Sequence, residues 1–442
     1  MSFDANELAE ATQVSWTIPI DCSFNKISTD TRSIVKDDCF LALSGDNYDG
    51  HNFAEQALEA GASALIVERI LPFDCPQLVV ESTLTAYHQI ANRYRAKQTV
   101  PFIAITGSSG KTSSKEIIAA VLKEACDSIL LTEANTNNQI GVPQNILRFN
   151  NHDAAILECG TNYSGEIDIL SKTVEPDIAV VTNVGPVHLE GFGTVEGVAE
   201  EKSSLYNHLK ADGLAICNET LLDYAIFRER LKGRHYKTIG FSDHADFRVD
   251  YHGGDLESSS FTVHYGDQKL TIEWNLRGAH MALNAAAAIA IADHLGIEKS
   301  TVIKGLSKCE LPGMRMKILR LDQVWVNDAY NANPDSMKAL IDWLAEIDID
   351  HGKLIIVLGD MLEMGEHGPV HHQEIVDYVN RKLPKATALF FGPVMCGVTE
   401  SGYADIDELK ARLKNEICAD SIIAIKGSRG MRLERLIPKE LS

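Results

Sequence analysis

Phe102-Ile103-Ala104-Ile105-Thr106-Gly107-Ser108-Ser109-Gly110-Lys111-Thr112 joins an apolar, β-branched run to a turn of small residues and then to Lys-Thr. Behind it, Ile117, Ile118, Val121, Leu122 and Ala125 recur at helical spacing. The stretch therefore reads as strand, glycine turn and helix N-terminus. Such a junction aims backbone N–H groups at an anion, with Lys111 in reach of terminal phosphates and the Thr112 hydroxyl free to ligate Mg²⁺. Gly107, Ser108, Ser109, Gly110 and, one residue into the helix, Ser113 complete the candidate nucleotide loop. The general phosphate-loop pattern places a further glycine where Ile105 stands, so this is a shortened form, Gly-x-x-Gly-Lys-Thr. The plain alternative, a Gly-Ser turn with a surface lysine, does not explain the strand and helix on either side.

The chain has 442 residues, long for one core, so two or three domains are expected. A hydrophobic share of 45% with 31 Gly and 13 Pro fits a globular protein. The formal charge of −21 argues against nucleic acid or an anionic membrane as the main partner. It leaves an anionic nucleotide open, because one loop offsets the global field locally. No apolar run approaches the roughly 20 residues of a membrane span, and the N-terminus carries acids without a signal pattern. Nine scattered cysteines with no C-x-x-C pair imply reduced thiols in a cytosol, not a zinc site or a disulfide framework.

Three blocks follow from the run of predicted elements, giving an α/β protein of three domains over residues 1–98, 99–310 and 311–442. The first has strands at 39–43 and 64–67 around a helix from about 53 to 60, stopped by Gly61. The second holds the phosphate loop, with buried parallel strands at 102–106, 154–157 and 177–181. Residues 242–277 read as an antiparallel patch turning at Gly253-Gly254 and Gly266-Asp267. The third alternates strands near 324–326, 354–358, 388–391 and 422–425 with helices, a smaller Rossmann-like α/β domain.

Several polar residues sit where such a fold would place chemistry. Glu158 ends strand 154–157, where a Mg²⁺ ligand or a merely solvated acid would sit. His188 follows strand 177–181; a lone histidine there is as readily structural. Lys202 lies on the apolar stripe of a predicted helix, 195–209, with Val195, Val198, Leu205 or Tyr206, and Leu209. It either snorkels to solvent or is desolvated, in which case burial favours the neutral amine, able to take up CO₂ as a carbamate. Asn284, four residues after His280 on one helix face, reads a base edge or packs the helix. Asp328 opens the loop 328–334 after a strand, like the acids that hold ribose hydroxyls. Arg315, at a domain junction, either swings onto a γ-phosphate or forms an interdomain salt bridge.

Together these segments resemble the Mur ligase family, ATP-dependent amide-forming enzymes of bacterial cell-wall precursor synthesis. The shortened loop Thr106–Thr112, the segment Thr182-Asn-Val-Gly-Pro-Val-His-Leu-Glu190 followed by Glu201-Lys202, and Ser28-Thr-Asp-Thr-Arg32 with Ala42–Gly45 and Asp49–Phe53 carry that likeness. Asn135–Pro143, Asp328–Met337 and Gly359–Gly365 point within the family to the ligase that adds D-alanyl-D-alanine to UDP-MurNAc-tripeptide. The resemblance implies an N-terminal UDP-sugar-binding domain, a central ATPase domain and a C-terminal ligase domain, working as a monomer in the bacterial cytoplasm. It implies ATP as cosubstrate and two Mg²⁺ ions. Thr112 and Glu158 would hold one; His188 and carbamylated Lys202 would hold the other. It further implies Lys111 and Arg315 on the phosphates, Asn284 on adenine and Asp328 on ribose. Ser28, Asp30, Thr31, Arg32, Gly45, Asn137, Asn138, Tyr330, Asn331 and Asn333 would contact the acceptor and donor substrates. Closure would carry the C-terminal domain over the central one, with hinges near 98 and 310.

Rival readings make different demands. The preceding ligase of the same family, which adds the third amino acid, has an Asp-Asn-Pro-Arg type stretch; Tyr330-Asn-Ala-Asn-Pro334 stands here instead. A folate or amino-acid polymer ligase would not need Ser28–Arg32. A GTP switch needs an Asn-Lys-x-Asp base-reading motif, which is absent.

Overall fold

The computed structural model describes residues 2–45, 48–350 and 353–441. Three mainly parallel sheets follow one another along the chain. The first pairs Ile27–Ser28, Asp38–Leu41, Ala62–Val67 and Gln77–Val79 in that order, all parallel. Its helix runs Ala54–Glu59, after a tight turn at Gly50–Phe53.

The central sheet has nine strands. Their order is Ile129–Leu131, Ala154–Glu158, Phe102–Thr106, Ile178–Val181, Leu214–Asn218, Tyr236–Gly240, Phe247–Gly254, Ser259–Tyr265 and Gln268–Trp274. The first seven run parallel and the last three form an antiparallel meander. Phe102–Thr106 lies between Ala154–Glu158 and Ile178–Val181, so the chain order reverses around it. That reversal opens a crevice beyond the strand ends, and the phosphate loop, Glu158 and Thr182-Asn183 all leave the sheet there.

The third sheet orders Lys317–Arg320, Val324–Asn327, Ile422–Lys426, Leu354–Gly359, Thr387–Phe391 and Gly402–Tyr403, antiparallel only at its first pair. Ile422–Lys426 separates strands far earlier in the chain, a second reversal. Asp328 and Lys426 stand at its open end. No helix among the described residues is long and apolar enough to cross a membrane.

Three expectations need correction. Gly253-Gly254 do not turn the meander; they end a bulged strand, and the turn is Asp255–Ser258, where the Asp255 carboxylate accepts the N–H groups of Glu257 and Ser258. The helix expected over 195–209 stops at Ser203 and tightens into a short 3₁₀ turn at Ser204–Tyr206. The Ser203 and Ser204 hydroxyls both bond back to the Glu200 carbonyl, competing with the backbone pattern. Finally, residues just before 98 do not form a loose hinge. Helix Thr83–Ala96 packs into an apolar cluster shared with the central domain, in which Tyr87 and Ile90 join Leu147, Phe149 and Leu170.

Candidate active site

The phosphate loop is fixed by its neighbour strand end. A side chain at Gly107 would place its Cβ 1.8 Å from Thr182 Oγ1, and Gly110 is held at φ +81°, so both positions favour glycine. Ser108 N–H donates to the Asn183 carbonyl (3.0 Å) and Ser109 N–H to Asn183 Oδ1 (2.8 Å). Thr182 Oγ1 donates to the Ser109 carbonyl (2.6 Å). The helix Lys111–Leu122 then starts with N–H groups that lack intrahelical partners and face the crevice.

Lys111 Nζ donates to the Gly107 carbonyl (2.6 Å), folding over the loop. Burial pushes its pKa down, opposed by the charges of Glu158 and Glu363. Thr112 Oγ1 donates to Glu158 Oε2 (3.1 Å) and accepts from Arg315 Nη2 (3.2 Å). The Arg315 guanidinium lies 3.8 Å from the Tyr330 ring centroid and pairs with no carboxylate among the described residues. Of its two readings, the interdomain salt bridge is not formed. Glu158 is buried; its Oε1 has no hydrogen bond and lies 3.3 Å from Lys115 Nζ. Lys115 is itself buried, donating to the Thr132 carbonyl (3.0 Å).

A cavity of about 910 Å³ opens over this loop, bounded by the central domain on one side and the C-terminal domain on the other. Among the residues singled out from sequence, its wall includes Gly45, Ser108, Ser109, Gly110, Lys111, Thr112, Ser113, Asn137, Asn138, Glu158 and His188. It also includes Asn284, Arg315, Asp328, Tyr330, Asn331 and Asn333. The buried Asn284 amide stands 3.3 Å from where a Gly110 Cβ would be, mid-helix in Ala279–His294, so it packs on the phosphate loop and caps nothing.

Ser28, Asp30, Thr31 and Arg32 are not brought to that wall. They form their own turn, with Asp30 accepting from the Arg32 side chain (2.8 and 2.9 Å) and Arg32 largely exposed. The Arg32 pair holds the Asp30 carboxyl at about 2. Lys202 also stays behind the wall. It is 2% exposed and makes no hydrogen bond or ion pair with any described residue, so it does not snorkel. Burial, reinforced by Lys111, pushes its pKa well below the ordinary lysine value. The adjacent Glu201 has a structural task, accepting the N–H groups of Gly165 (2.6 Å) and Ile167 (2.7 Å) at the start of helix Glu166–Val174.

The C-terminal wall contributes groups that sequence reasoning left without a role. Lys426 Nζ donates to Asp328 Oδ2 (2.6 Å) and to the Asn331 carbonyl (3.1 Å). It ends an apolar strand, the same position that singled out Glu158, and was findable on that rule. Glu363 pairs with His188 across the domains (Oε2 to Nδ1, 2.9 Å), and that bond lowers its pKa. Both residues are held at positive φ, +68° and +48°, the kind of local strain that collects at working sites. Asn333 Nδ2 donates to the Ser108 carbonyl (3.2 Å), and Asn183 Nδ2 donates to Asp335 (3.2 Å). Glu363 and Asp335 fall inside the signature stretches Gly359–Gly365 and Asp328–Met337, but nothing local assigns them a role, because their partners lie over 150 residues away. Among the described residues no three His, Cys, Asp or Glu side chains converge as a metal site.

The chain matches three family models in succession: the Mur ligase family catalytic domain over 23–105, the Mur ligase middle domain over 105–292, and the Mur ligase glutamate ligase domain over 314–429. It is 35% identical to the UDP-N-acetylmuramoyl-tripeptide–D-alanyl-D-alanine ligase of Bacillus subtilis, covering 93% of this chain and 92% of that one. The Escherichia coli protein of the same name is 34% identical over 94% of each. The MurF structure from Acinetobacter baumannii superposes with a TM-score of 0.91 at 30% identity, over 99% of this chain and 98% of that one. MurF from Thermotoga maritima in complex with ADP gives 0.84 at 27% identity, over 93% and 96%. The chain belongs to the Mur ligase family, with its three-domain α/β architecture.

Proposed function

We propose that this site joins D-alanyl-D-alanine to UDP-MurNAc-tripeptide, converting ATP to ADP and phosphate and giving UDP-MurNAc-pentapeptide for peptidoglycan synthesis. The observation that carries this reading is the Thr112 hydroxyl, shared by Glu158 and by Arg315 from the facing domain over a phosphate loop, in a chain matched along its length by ligases of that name. Residues 1–98 serve the UDP-sugar, with Ser28, Asp30, Thr31, Arg32 and Gly45 as its contacts. Residues 99–310 hold ATP, and 311–442 close over it. The setting is the bacterial cytoplasm.

A carboxylate is a poor acyl donor, so its terminal oxygen first attacks the γ-phosphorus. A P–O bond forms, the bond to the β-phosphate oxygen breaks, and ADP leaves an acyl phosphate. The dipeptide amine then attacks the acyl carbon, and the C–O bond to phosphate breaks. Catalysis here is positioning and charge neutralisation. Lys111 and those N–H groups of residues 107–112 that Asn183 leaves free grip the β- and γ-phosphates. Arg315, braced on Tyr330, adds a second cation from the other domain. Asn284 lies on the nucleotide beside Gly110, and Asp328, held by Lys426, takes the ribose. Asn137, Asn138, Tyr330, Asn331 and Asn333 line the path of the peptide substrates.

The residues present fit magnesium. Glu158 Oε1 is buried with no hydrogen-bond donor, and the Thr112 hydroxyl lies against its partner oxygen. Thr112 and Glu158 would hold one ion and His188 with carbamylated Lys202 a second, and magnesium there would neutralise phosphate charge. The desolvated Lys202 amine suits carbamate formation, because its neutral form is the one that reacts with CO₂.

The purified chain should release phosphate only with ATP, Mg²⁺, UDP-MurNAc-tripeptide and D-alanyl-D-alanine together. Equal release with UDP-MurNAc-dipeptide and a free diamino acid would sink this reading and favour the preceding ligase.

A further inference from the structure

Among the described residues five carboxyl groups line the cavity: Glu158, Glu166, Asp328, Asp335 and Glu363. Four are already engaged. Glu158 is held by Thr112 and Lys115. Glu166 accepts the N–H groups of Asn162 (2.7 Å) and Tyr163 (3.1 Å) and the amide of Gln139 (3.0 Å). Asp328 is paired with Lys426 and Glu363 with His188. Asp335 stands apart, since among the described residues its carboxylate accepts one hydrogen bond, from the neutral Asn183 amide, and has no ion-pair partner.

Its placement is as specific as its lack of a cation. Asp335 is the second residue of helix Pro334–Glu346, on the C-terminal wall. It lies directly over Gly185, where a Cβ would come within 1.9 Å of Oδ2. The same Asn183 that donates to it accepts from Ser109 N–H in the phosphate loop. One amide therefore links this carboxylate to the turn that grips the transferred phosphate. The two substrate groups to be joined are an acyl phosphate, anchored on the loop side, and an ammonium, which must bind opposite and lose a proton before its nitrogen is nucleophilic.

We propose that Asp335 binds the ammonium of D-alanyl-D-alanine and accepts the proton it loses before attack. This rests on the reaction proposed above and assigns the base it lacks. One N–H bond breaks and its proton passes to the Asp335 carboxylate. The freed electron pair forms the C–N bond, the C–O bond to phosphate breaks with its electrons, and a second N–H proton departs as hydrogen phosphate. Burial raises the Asp335 pKa above the ordinary aspartate value, towards the working pH of a general base. The charges facing it are Lys338 on its own helix and His371 from helix Gly368–Lys382, both opposing that rise, with the Tyr224 phenol across on the central domain.

The test separates attack by the dipeptide from formation of the acyl phosphate. Full-length Asp335→Asn, with its melting temperature checked against wild type, is assayed at pH 7 with D-alanyl-D-alanine and, separately, with hydroxylamine. Hydroxylamine is already neutral and traps an acyl phosphate as the hydroxamate. The dipeptide kcat should fall about 100-fold or more, recovering as pH rises, while hydroxamate formation stays within about threefold. Asp335→Glu, which keeps a carboxylate, should recover at least about a tenth of the wild-type rate. Retention of more than a third of the dipeptide rate by Asp335→Asn would overturn the proposal. So would an equal loss in both assays, which would make Asp335 a support for the phosphate loop, or an Asp335→Glu enzyme no faster than Asp335→Asn. Wild-type enzyme that makes no hydroxamate would instead remove the acyl-phosphate reading itself.

Discussion

Both ends of the central domain share an apolar cluster with their neighbours, but their polar links fall in different places. At the N-terminal junction, Arg95 is fully buried. It donates to the Val174 (2.9 Å), Glu175 (3.1 Å) and Gln98 (3.0 Å) carbonyls and to Asp177 (2.6 Å), and lies 3.9 Å from the Phe102 ring centroid. His88 to Thr173, Asn92 to the Lys172 carbonyl and Tyr94 to the Phe149 carbonyl add further bonds over a shared apolar cluster. None of these groups lines the nucleotide cavity. At the C-terminal junction, Met281 and Ala285 share an apolar cluster with Met337, Leu340 and Trp343, and the polar links are Arg315 to Thr112, Asn333 to Ser108, Asn183 to Asp335, His188 to Glu363 and, away from the cavity, Arg320 to Glu257. All but the last use residues of the cavity wall. The polar weld of the first junction therefore stands clear of the site, whereas motion of the C-terminal domain rearranges four links in the cavity wall.

That contrast is broken most directly at Arg95. Arg95→Leu strips a buried guanidinium from four acceptors; Asp177 keeps Lys210, but each buried carbonyl left without its donor costs about 1–3 kcal/mol. Urea melts should show that loss, while kcat per folded molecule stays within about twofold. Arg315→Ala should do the reverse. Removing a cation aimed at developing phosphate charge costs about 10²–10³ in kcat, with little change in melting temperature, because the side chain braces on Tyr330 and holds no core. Two enzymes failing in the same assay would erase the distinction drawn here.

Lys202 tests the site from behind. Lys202→Ala should lower activity about 10–100-fold through weakened metal affinity, and a short-chain carboxylic acid in the buffer should restore part of it by standing in for the carbamate. A fully active Lys202→Ala enzyme would remove the carbamate, and the buried amine would then be a packing oddity.

How much of this was legible in the sequence follows from the range of the interactions. Strand Phe102–Thr106 and the Gly107–Thr112 loop declare themselves within a dozen residues, because β-branched runs and glycine turns are local signals. Lys202 showed as a charge on an apolar stripe, and the structure chose burial over snorkelling. The meander turn was misplaced because Asp255, with its two backbone acceptances, makes a better turn than the more conspicuous Gly253-Gly254. The weld at Arg95 and the Glu363 and Asp335 contacts were invisible. Each joins residues some 80 to 175 positions apart, and no local period encodes which strand end will face which.

Glu363 gives the smallest effect and the finest probe of the second junction. Its pair with His188 is partly exposed, 24% and 60% for the two side chains, so its worth is about 0.2–1 kcal/mol. Glu363→Gln should then shift the balance between closed and open forms by no more than about fivefold, read as a larger radius of gyration by small-angle scattering without ligand. The pH dependence has a fixed sign. The folded carboxyl titrates below its ordinary value because of His188, so its contribution is complete above the unfolded pKa of about 4.3 and is lost as pH falls through the lower folded one. Wild type and Glu363→Gln should therefore differ at pH 7 and converge in acid. They should also converge at high salt, which screens an exposed pair. A difference lost in acid but surviving high salt would mean that Glu363 acts through its charge on Lys111 inside the cavity, and the junction would then be part of the phosphate site.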